Sequence, residues 1–295
     1  SWAWMFWTPP GVSSGGLNRE MNPIKKSLIA GSWYPGNPAA LRRDIEKYFD
    51  AVPEMTIDGN IVGLIAPHAG YMYSGHVAAH AYKLIRGTTY DAVIVVGPSH
   101  RVAFRGISIF SKGGYETPLG VVPVEEALAD KLKKKSPIVT DIPQAHLQEH
   151  AVEIQLPFLQ VALGQFSFLP LVMGSQDAAT CRELAAAIYD VSADKNLLIV
   201  GSSDLSHFYN YNAAKKMDAV ALEHLKHGDS QGLLQSLENG DVEACGGGPM
   251  AVVMSVARML KADRPCLLKY ANSGDVTGDK ESVVGYAAAV FYRSP

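Results

Sequence analysis

Unbroken runs of apolar residues alternate along the chain with stretches in which apolar residues recur every three or four positions. The runs at 61–66, 92–96 and 197–202 predict strands that are covered on both faces. The stretches between them predict amphipathic helices. This alternation indicates an α/β fold, and we predict a single-domain sandwich with a central mixed, mostly buried β-sheet flanked by helices. Further strands are predicted at 105–110, 120–124, 166–173, 265–271 and 282–292, with a loop at 113–118, and helices at 39–49, 74 or 75 to 84, 125–135, 152–163, 178–191, 213–227 and 250–261.

Each of the three apolar runs ends in a loop that carries a histidine. His68 follows the first run after a proline, His100 ends Gly97-Pro-Ser-His100, and His207 ends Gly201-Ser-Ser-Asp-Leu-Ser-His207. Ligand sites in open α/β sheets gather at the carboxyl ends of the strands. We therefore expect the three histidine loops to form one shared site.

His68 and His100 form a natural pair of metal ligands, and the residues leave the third ligand open. A carboxylate such as Asp204 or Glu153 would complete the facial triad of non-haem Fe(II) oxygenases. Cys245 would instead give a softer His2Cys set, suited to Fe(II), Cu or Zn. Cys245 precedes a predicted helix, where a thiol pKa is lowered, so it is either a reactive thiol or ligand or a buried cysteine in a tight loop.

Several other polar residues are candidates for supporting roles around such an ion. His207 would act as a general acid or base, with Asp204 orienting it or polarising a bound water. His150 and Glu153 stand at the start of a predicted helix, where they either reach the metal site or complement the helix dipole. His80 lies on a predicted helix, and packing or support of the ligands is the favoured role for it.

The composition of the chain indicates which partners and which cellular compartment to expect. The 295 residues are 47% hydrophobic and 19% charged, with a formal net charge of −3, which gives no indication of a nucleic-acid surface. No apolar run approaches the roughly 20 residues that cross a bilayer, so no membrane partner is expected. The three cysteines contain no CxxC pair, which argues against a disulfide framework and suits a reducing cytoplasm.

The first residues differ in character from the rest of the chain. An aromatic head at 1–7 lacks a basic region and is too short for a signal peptide, and a stretch rich in proline, glycine and serine follows it. Met21 stands at a more natural start. We predict a flexible or upstream-derived tail at 1–24 and an α/β domain at 25–295.

Five ordered motifs together resemble the Memo family, and the resemblance covers roughly 28–291. That family is similar in fold and site position to the class III (LigB-like) extradiol dioxygenases, which cleave catechol rings with Fe(II) held by two histidines and a glutamate. The motifs are Pro67-His-Ala-Gly-Tyr71, Gly97-Pro-Ser-His100, Glu149-His-Ala-Val-Glu153, Ser202-Ser-Asp-Leu-Ser-His207 and Ala244-Cys-Gly.

The resemblance implies a role for each matching residue. His68 and His100 would be the histidine ligands, Cys245 would take the place of the third ligand, and His207 would be the acid–base histidine with Asp204 beside it. A thiolate donates more strongly than a carboxylate and is itself oxidisable. Around these residues, His150, Glu153, Tyr71 and His80 are expected to support the ligands or contact a substrate.

Three functions are compatible with these residues. The first is an oxidoreductase that acts with O2 on a small substrate, with Fe(II) favoured over Cu or Zn. The second is a non-catalytic binding, signalling or metal-handling module that uses the same cleft for a small molecule or a peptide. The third is a thiol hydrolase using Cys245 and His207, which ranks last because it leaves His68 and His100 without a role.

Overall fold

A mixed sheet of nine strands runs through the centre of the computed structural model, which describes residues 23–262 and 264–295. The described strands are β1 (Ile24–Lys25), β2 (Asn60–Ala66), β3 (Ala92–Pro98), β4 (Ile107–Ile109), β5 (Gly114–Thr117), β6 (Gly120–Pro123), β7 (Val139–Asp141), β8 (Phe168–Met173), β9 (Leu197–Ser202), β10 (His207–Tyr209), β11 (Arg264–Asn272) and β12 (Val283–Arg293). The described helices are α1 (Pro38–Ala51), α2 (Tyr71–Leu84), α3 (Glu126–Lys135), α4 (Gln144–Leu147), α5 (Leu156–Leu163), α6 (Ala178–Val191), α7 (Tyr211–His227), α8 (Ser230–Asn239), α9 (Gly247–Met259) and α10 (Gly274–Thr277).

Four parallel strands form the middle of the sheet, in the order β2, β9, β3, β8. β12 pairs antiparallel with β2 on one side, and β4 pairs antiparallel with β8 on the other. Every residue of β3, β8 and β9 is buried. The predicted mixed, mostly buried sheet is therefore confirmed, and its central strands share one carboxyl edge.

Helices cover both faces of the sheet. Val93 and Val95 of β3 belong to the apolar core beneath α1, α2 and α5. Ile94 and Val96 belong to the core beneath α3, α6, α7, α8 and α9. The alternation follows from the strand period of two, because successive side chains point to opposite faces.

Some element bounds differ from the predictions. The helix expected at 152–163 is divided into a 3-10 turn at Glu153–Gln155 and α5, because Pro157 near the start of α5 has no N–H to continue the earlier turn. The loop expected at 113–118 contains β5, which pairs with β1 and β6 in a separate three-stranded sheet. α8 was not predicted.

The predicted tail at 1–24 lies mostly outside the described residues. Its last two residues belong to the folded part of the chain, since the Pro23 carbonyl accepts a hydrogen bond from Gly114 N (3.2 Å) and Ile24 pairs with Gly114. Among the helices that the structure describes, none has both the length and the apolar character needed to cross a bilayer.

Candidate metal centre

Three possible ligand atoms meet at the carboxyl edge of the parallel strands. His68 follows β2 and His100 follows β3, while Cys245 stands in the loop before α9. One ligand atom from each of these side chains lies within 4.8 Å of the other two. The parallel pairing of β2 and β3 with β9 brings the two histidine loops together. The expected meeting of the imidazoles with the late cysteine is therefore present in the fold.

The hydrogen bonds around His68 determine its tautomer. Ser202 Oγ donates to the Ala151 carbonyl at 2.6 Å, and it lies 3.0 Å from His68 Nδ1. Because the hydroxyl has one hydrogen and a carbonyl can only accept, His68 Nδ1 must be the donor to Ser202 Oγ. The lone pair of neutral His68 is then on Nε2, which lies 2.9 Å from Cys245 Sγ.

Gln155 extends this network into the core. Its Nε2 donates to Ser202 Oγ (2.8 Å) and to the Pro67 carbonyl (3.0 Å), and its Oε1 accepts from Tyr82 OH (2.6 Å). The Pro67 carbonyl precedes His68 directly, so one amide supports both the backbone and the side chain of the histidine loop.

Glu149 orients the second imidazole. Its two oxygens accept from His100 N (2.7 Å) and His100 Nδ1 (2.9 Å), and Ala151 N adds a third hydrogen bond at 2.8 Å. Burial opposes ionisation of Glu149, but the hydrogen bonds from His100 and Ala151 outweigh it and lower its pKa to about 2. A carboxylate can only accept, so His100 Nδ1 carries a proton, and Nε2 is the ring nitrogen left to face a metal.

Cys245 is a protonated thiol in this arrangement. Burial raises its pKa above the usual range, and the nearby Asp204 carboxylate acts in the same direction. The expectation that a helix start lowers this pKa was therefore wrong for the protein without a cation, because desolvation exceeds the dipole effect. The S–H donates to His68 Nε2, and a bound divalent cation would displace that proton.

Asp204 connects the loop after β9 with the loop that carries His68 and with the loop that carries Cys245. Its Oδ1 accepts from His68 N at 2.7 Å, and its backbone N donates to Cys245 Sγ at 3.3 Å. Its Oδ2 lies 4.0 Å from His68 Nε2. Burial raises the pKa of the Asp204 carboxyl to about 6.

His150 lies beside the ligand group under an aromatic cover. Its ring stacks on His100 with a centroid distance of 4.6 Å and contacts Trp33 at 4.3 Å. Burial, with a smaller effect of the neighbouring His68, lowers the His150 pKa to about 3. The group His100, Glu149 and His150 also has metal-ligand spacing, but Glu149 already accepts three hydrogen bonds, which favours a supporting role for it.

His68 and His100 line a cleft of about 770 Å³, whose walls also include His207 and Asp204. The backbone N of His207 lies 3.4 Å from Glu243 Oε2. The next residue, Phe208, has a φ of 67° and a side chain that is 75% exposed at the cleft. Such left-handed backbone is uncommon for a non-glycine residue and is frequent at functional sites.

Three of the residues expected to support the site lie away from the cleft. Glu153 points into the N-terminal segment, where its carboxylate accepts from Lys25 Nζ and four other donors, so the expectation that it reaches the metal site was wrong. Tyr71 donates from its hydroxyl to the Ile154 carbonyl (2.6 Å). His80 pairs through Nδ1 with the His76 carbonyl (2.9 Å) within α2.

No role was predicted for Ser202 or Gln155, and Glu149 was named only as the first residue of a matching motif. Ser202 stands inside one of the matching motifs, so its position there was a usable signal. Gln155 gave no signal, because its partners Pro67 and Tyr82 are far away along the chain.

The donor set fits a soft or borderline divalent cation. Burial, followed by the neighbouring His100, lowers the His68 pKa to about 3 and keeps its ring neutral, as a metal ligand must be. Two imidazole Nε2 atoms and one sulfur suit Fe, Cu or Zn, and hard oxygen-seeking cations are disfavoured. The hydrogen bonds to Nδ1 of both rings are the support that metal-ligating histidines normally have.

Known proteins resemble this chain over most of its length. The chain is 39% identical over 281 residues to a MEMO1 family protein of Methanopyrus kandleri, covering 91% of this chain and 99% of that protein. A MEMO1 family protein of Sulfolobus acidocaldarius is 38% identical over 282 residues, with the same two coverages. An uncharacterized protein of Escherichia coli K12 shares the fold with a TM-score of 0.54 at 16% identity, over 78% of this chain and 100% of that chain.

The family model described as Memo-like protein matches residues 25–290. That range contains every residue of the ligand group and of its supporting network. Together with the identities to MEMO1 family proteins, this match shows that the chain belongs to the Memo-like family.

Proposed function

We propose that this protein binds non-haem Fe(II) through His68, His100 and Cys245 and oxidises a small organic substrate with O2. The observation that supports the proposal most is the convergence of two imidazoles and one thiol within 4.8 Å, with both imidazoles in the wall of an open cleft. Three protein ligands leave coordination positions open, which catalytic metal sites require.

The chain's own residues hold the two imidazole rings of this site in place. Ser202 and Glu149 hold the two rings with Nε2 directed away from their hydrogen-bonded Nδ1 atoms. A bound iron would supply an open coordination position and one-electron chemistry. Cu and Zn also suit a His2Cys set, and elemental analysis separates the three metals.

Asp204 and His207 are the residues proposed to move protons. Both line the cleft beside the ligand group. Because burial raises the Asp204 pKa to about 6, its carboxyl holds and releases a proton close to neutral pH. An imidazole at the cleft wall is the side chain best suited to pass that proton to or from a substrate.

The proposed substrate is a small molecule with an apolar or aromatic part. Trp33, Met72, Tyr73 and Phe208 form part of the cleft wall, and each has substantial exposed surface. Exposed apolar side chains around a polar centre mark a ligand site.

Cys181, Cys245 and Cys266 are free thiols, which suits the reducing cytoplasm in which we propose the protein acts.

The same cleft supports a second candidate function, a binding or metal-handling module without turnover. The observation that favours it is Phe208, whose left-handed backbone presents a phenyl ring that is 75% exposed. Residues of this kind serve as anchors for a peptide or small ligand. On this proposal the metal stays bound while catechols and related chelating compounds give no oxygen uptake.

Metal analysis of protein purified without oxygen tests the metal centre. We expect iron in stoichiometric amount in the native protein, and strong loss of metal in His68→Ala and Cys245→Ser. His80→Ala is the matched control, because His80 lies on α2 outside the cleft. Retention of the native metal content in His68→Ala would exclude the proposed ligand set. Oxygen uptake on a catechol panel then separates the oxidoreductase from the binding module.

A further inference from the structure

The amide of Gln176 bonds to the loop that carries Cys245. Gln176 follows the carboxyl end of β8, the strand next to β3 in the sheet. Its Nε2 donates to the carbonyl of Cys245 itself (3.0 Å), and its Oε1 accepts from Gly248 N (2.7 Å). One side chain therefore spans the turn between the cysteine and the first residues of α9.

The opposite side of the same turn bonds to the β9 loop. Gly246 N donates to Ser203 Oγ (2.9 Å), and Ser203 Oγ donates to the Asp204 carbonyl (2.7 Å). The peptide group that joins Cys245 to Gly246 is thus held from two directions, through its carbonyl by Gln176 and through its N–H by Ser203. Its position helps to determine where the sulfur lies relative to His68 Nε2, which is 2.9 Å away.

Gln176 and Leu237 approach the backbone of the turn closely. A Cβ at Gly248 would lie 2.8 Å from Gln176 Cβ, and a Cβ at Gly247 would lie 2.4 Å from a methyl carbon of Leu237. Glycine at both positions lets the amide and Leu237 reach the backbone. Removal of the amide would leave the Cys245 carbonyl and the Gly248 N–H without these partners, and the turn would shift to find others.

We propose that Gln176 is a positioning residue that sets the Cys245 sulfur for metal ligation. The inference rests on the proposed metal centre, and it adds a residue that touches neither the ion nor the imidazoles. Gln176 also lines a second cleft, of about 820 Å³, between α6, α8 and α9. This second cleft shares no lining residue with the metal cleft.

An amide is required because the two contacts have opposite polarity. The Cys245 carbonyl needs a donor and the Gly248 N–H needs an acceptor. Glutamate at 176 would keep the contact to Gly248 but would place a carboxylate oxygen against the Cys245 carbonyl. Leucine would remove both contacts while keeping a similar volume.

Cobalt(II) titration of the metal-free protein tests the proposal, because a thiolate ligand gives a sulfur-to-cobalt charge-transfer absorption band. We expect Gln176→Leu and Gln176→Glu to weaken cobalt binding by about 10- to 100-fold, as is typical for residues that support a ligand. At saturating cobalt, the band per bound ion should fall because the sulfur is displaced, while the bands from imidazole ligation remain. If Gln176 only stabilised the fold, the charge-transfer intensity per bound cobalt ion would equal that of the native protein.

Gln235→Leu is the matched control, because Gln235 lines the same second cleft and bonds to Asn239 (3.0 Å) on α8. Its affinity and band should equal those of the native protein. Thermal unfolding confirms that each variant is folded, and the isosteric Gln176→Glu carries the test if Gln176→Leu does not fold. Iodoacetamide labelling of Cys245 without metal gives a second readout, with a several-fold change in rate expected for both Gln176 variants.

The outcomes separate the two proposals. Native affinity and native band intensity in both Gln176 variants would overturn the role of Gln176 and leave the metal centre standing. Absence of the charge-transfer band in the native protein would overturn the metal centre and this inference together. Loss of the band in the Gln176 variants alone, with Gln235→Leu unchanged, supports the inference.

Discussion

Glu149 bonds to His100 through both the ring and the backbone, with Oε1 at 2.9 Å from Nδ1 and Oε2 at 2.7 Å from N. The paired contact fixes the rotation of the imidazole as well as its tautomer. A ligand oriented in this way loses little freedom when a metal binds. The orientation comes from a segment that is distant along the chain from the strand that carries His100.

Glu149→Gln should weaken metal binding by about 10- to 100-fold with little loss of fold. Two of the three N–H donors that now meet the carboxylate would meet a neutral oxygen, and the third would face an NH2 group. Competition with a chromophoric chelator measures the change. Glu125→Gln is the control, because Glu125 bonds to Ser167 at the other end of β8. An unchanged affinity in Glu149→Gln would show that the Glu149 contact does not support metal binding through His100.

Ser202→Ala should lower the free energy of unfolding by about 1–3 kcal/mol, because it leaves buried polar groups without a partner. The affected groups are His68 Nδ1–H, one hydrogen of Gln155 Nε2 and the Ala151 carbonyl. Metal affinity should fall as well, since the His68 tautomer is no longer set. Urea unfolding with and without metal measures both effects. A variant as stable as the native protein would contradict the tautomer assignment.

Glu153→Ala should destabilise the protein by about 3–5 kcal/mol, since it leaves the buried Lys25 ammonium without its partner at 2.8 Å. The double variant Lys25→Met, Glu153→Ala should recover part of this loss, because the unpaired charge is removed. Denaturant unfolding of the native protein, both single variants and the double variant gives the coupling energy. Strictly additive effects would show that the pair does not interact in the folded protein.

His146 should make the protein less stable in acid. It is fully buried between Tyr115 OH (2.6 Å) and Ser108 Oγ (3.0 Å), and burial, with a smaller effect of Lys25, lowers its pKa from 6.5 to about 3. Between these pH values the unfolded chain binds a proton that the folded protein does not, so stability falls as pH drops from 6.5 towards 3. One such proton corresponds to at most about 1.4 kcal/mol per pH unit.

Replacement of His146 by glutamine should reduce that slope. Urea unfolding at a series of pH values measures it, with His227→Gln at the exposed end of α7 as the comparison. An equal slope in His146→Gln and in the native protein would show that His146 takes up its proton in the folded state as well.

Strand prediction succeeded for the central strands, because burial on both faces makes nearly all of their residues apolar. β3, β8 and β9 are buried throughout and consist almost entirely of apolar residues, a pattern that is typical of a strand covered on both faces. Prediction failed for β5, because the backbone partners that make Gly114–Thr117 a strand come from β1 and β6. The helix starts at α2 and α9 were placed too late, since glycines near both starts weaken the helical pattern.

Local residue patterns specify which polar side chains follow the central strands. Apolar runs followed by histidine loops are local patterns, and parallel pairing brings such ends to one edge. How those side chains are used depends on the folded chain. It directs Glu153 into the N-terminal segment, assigns Glu149 to His100, and joins Ser202 to His68 and Gln176 to Cys245. These contacts connect residues that are distant along the chain, and a hydrogen bond depends on sub-ångström placement that local patterns do not encode.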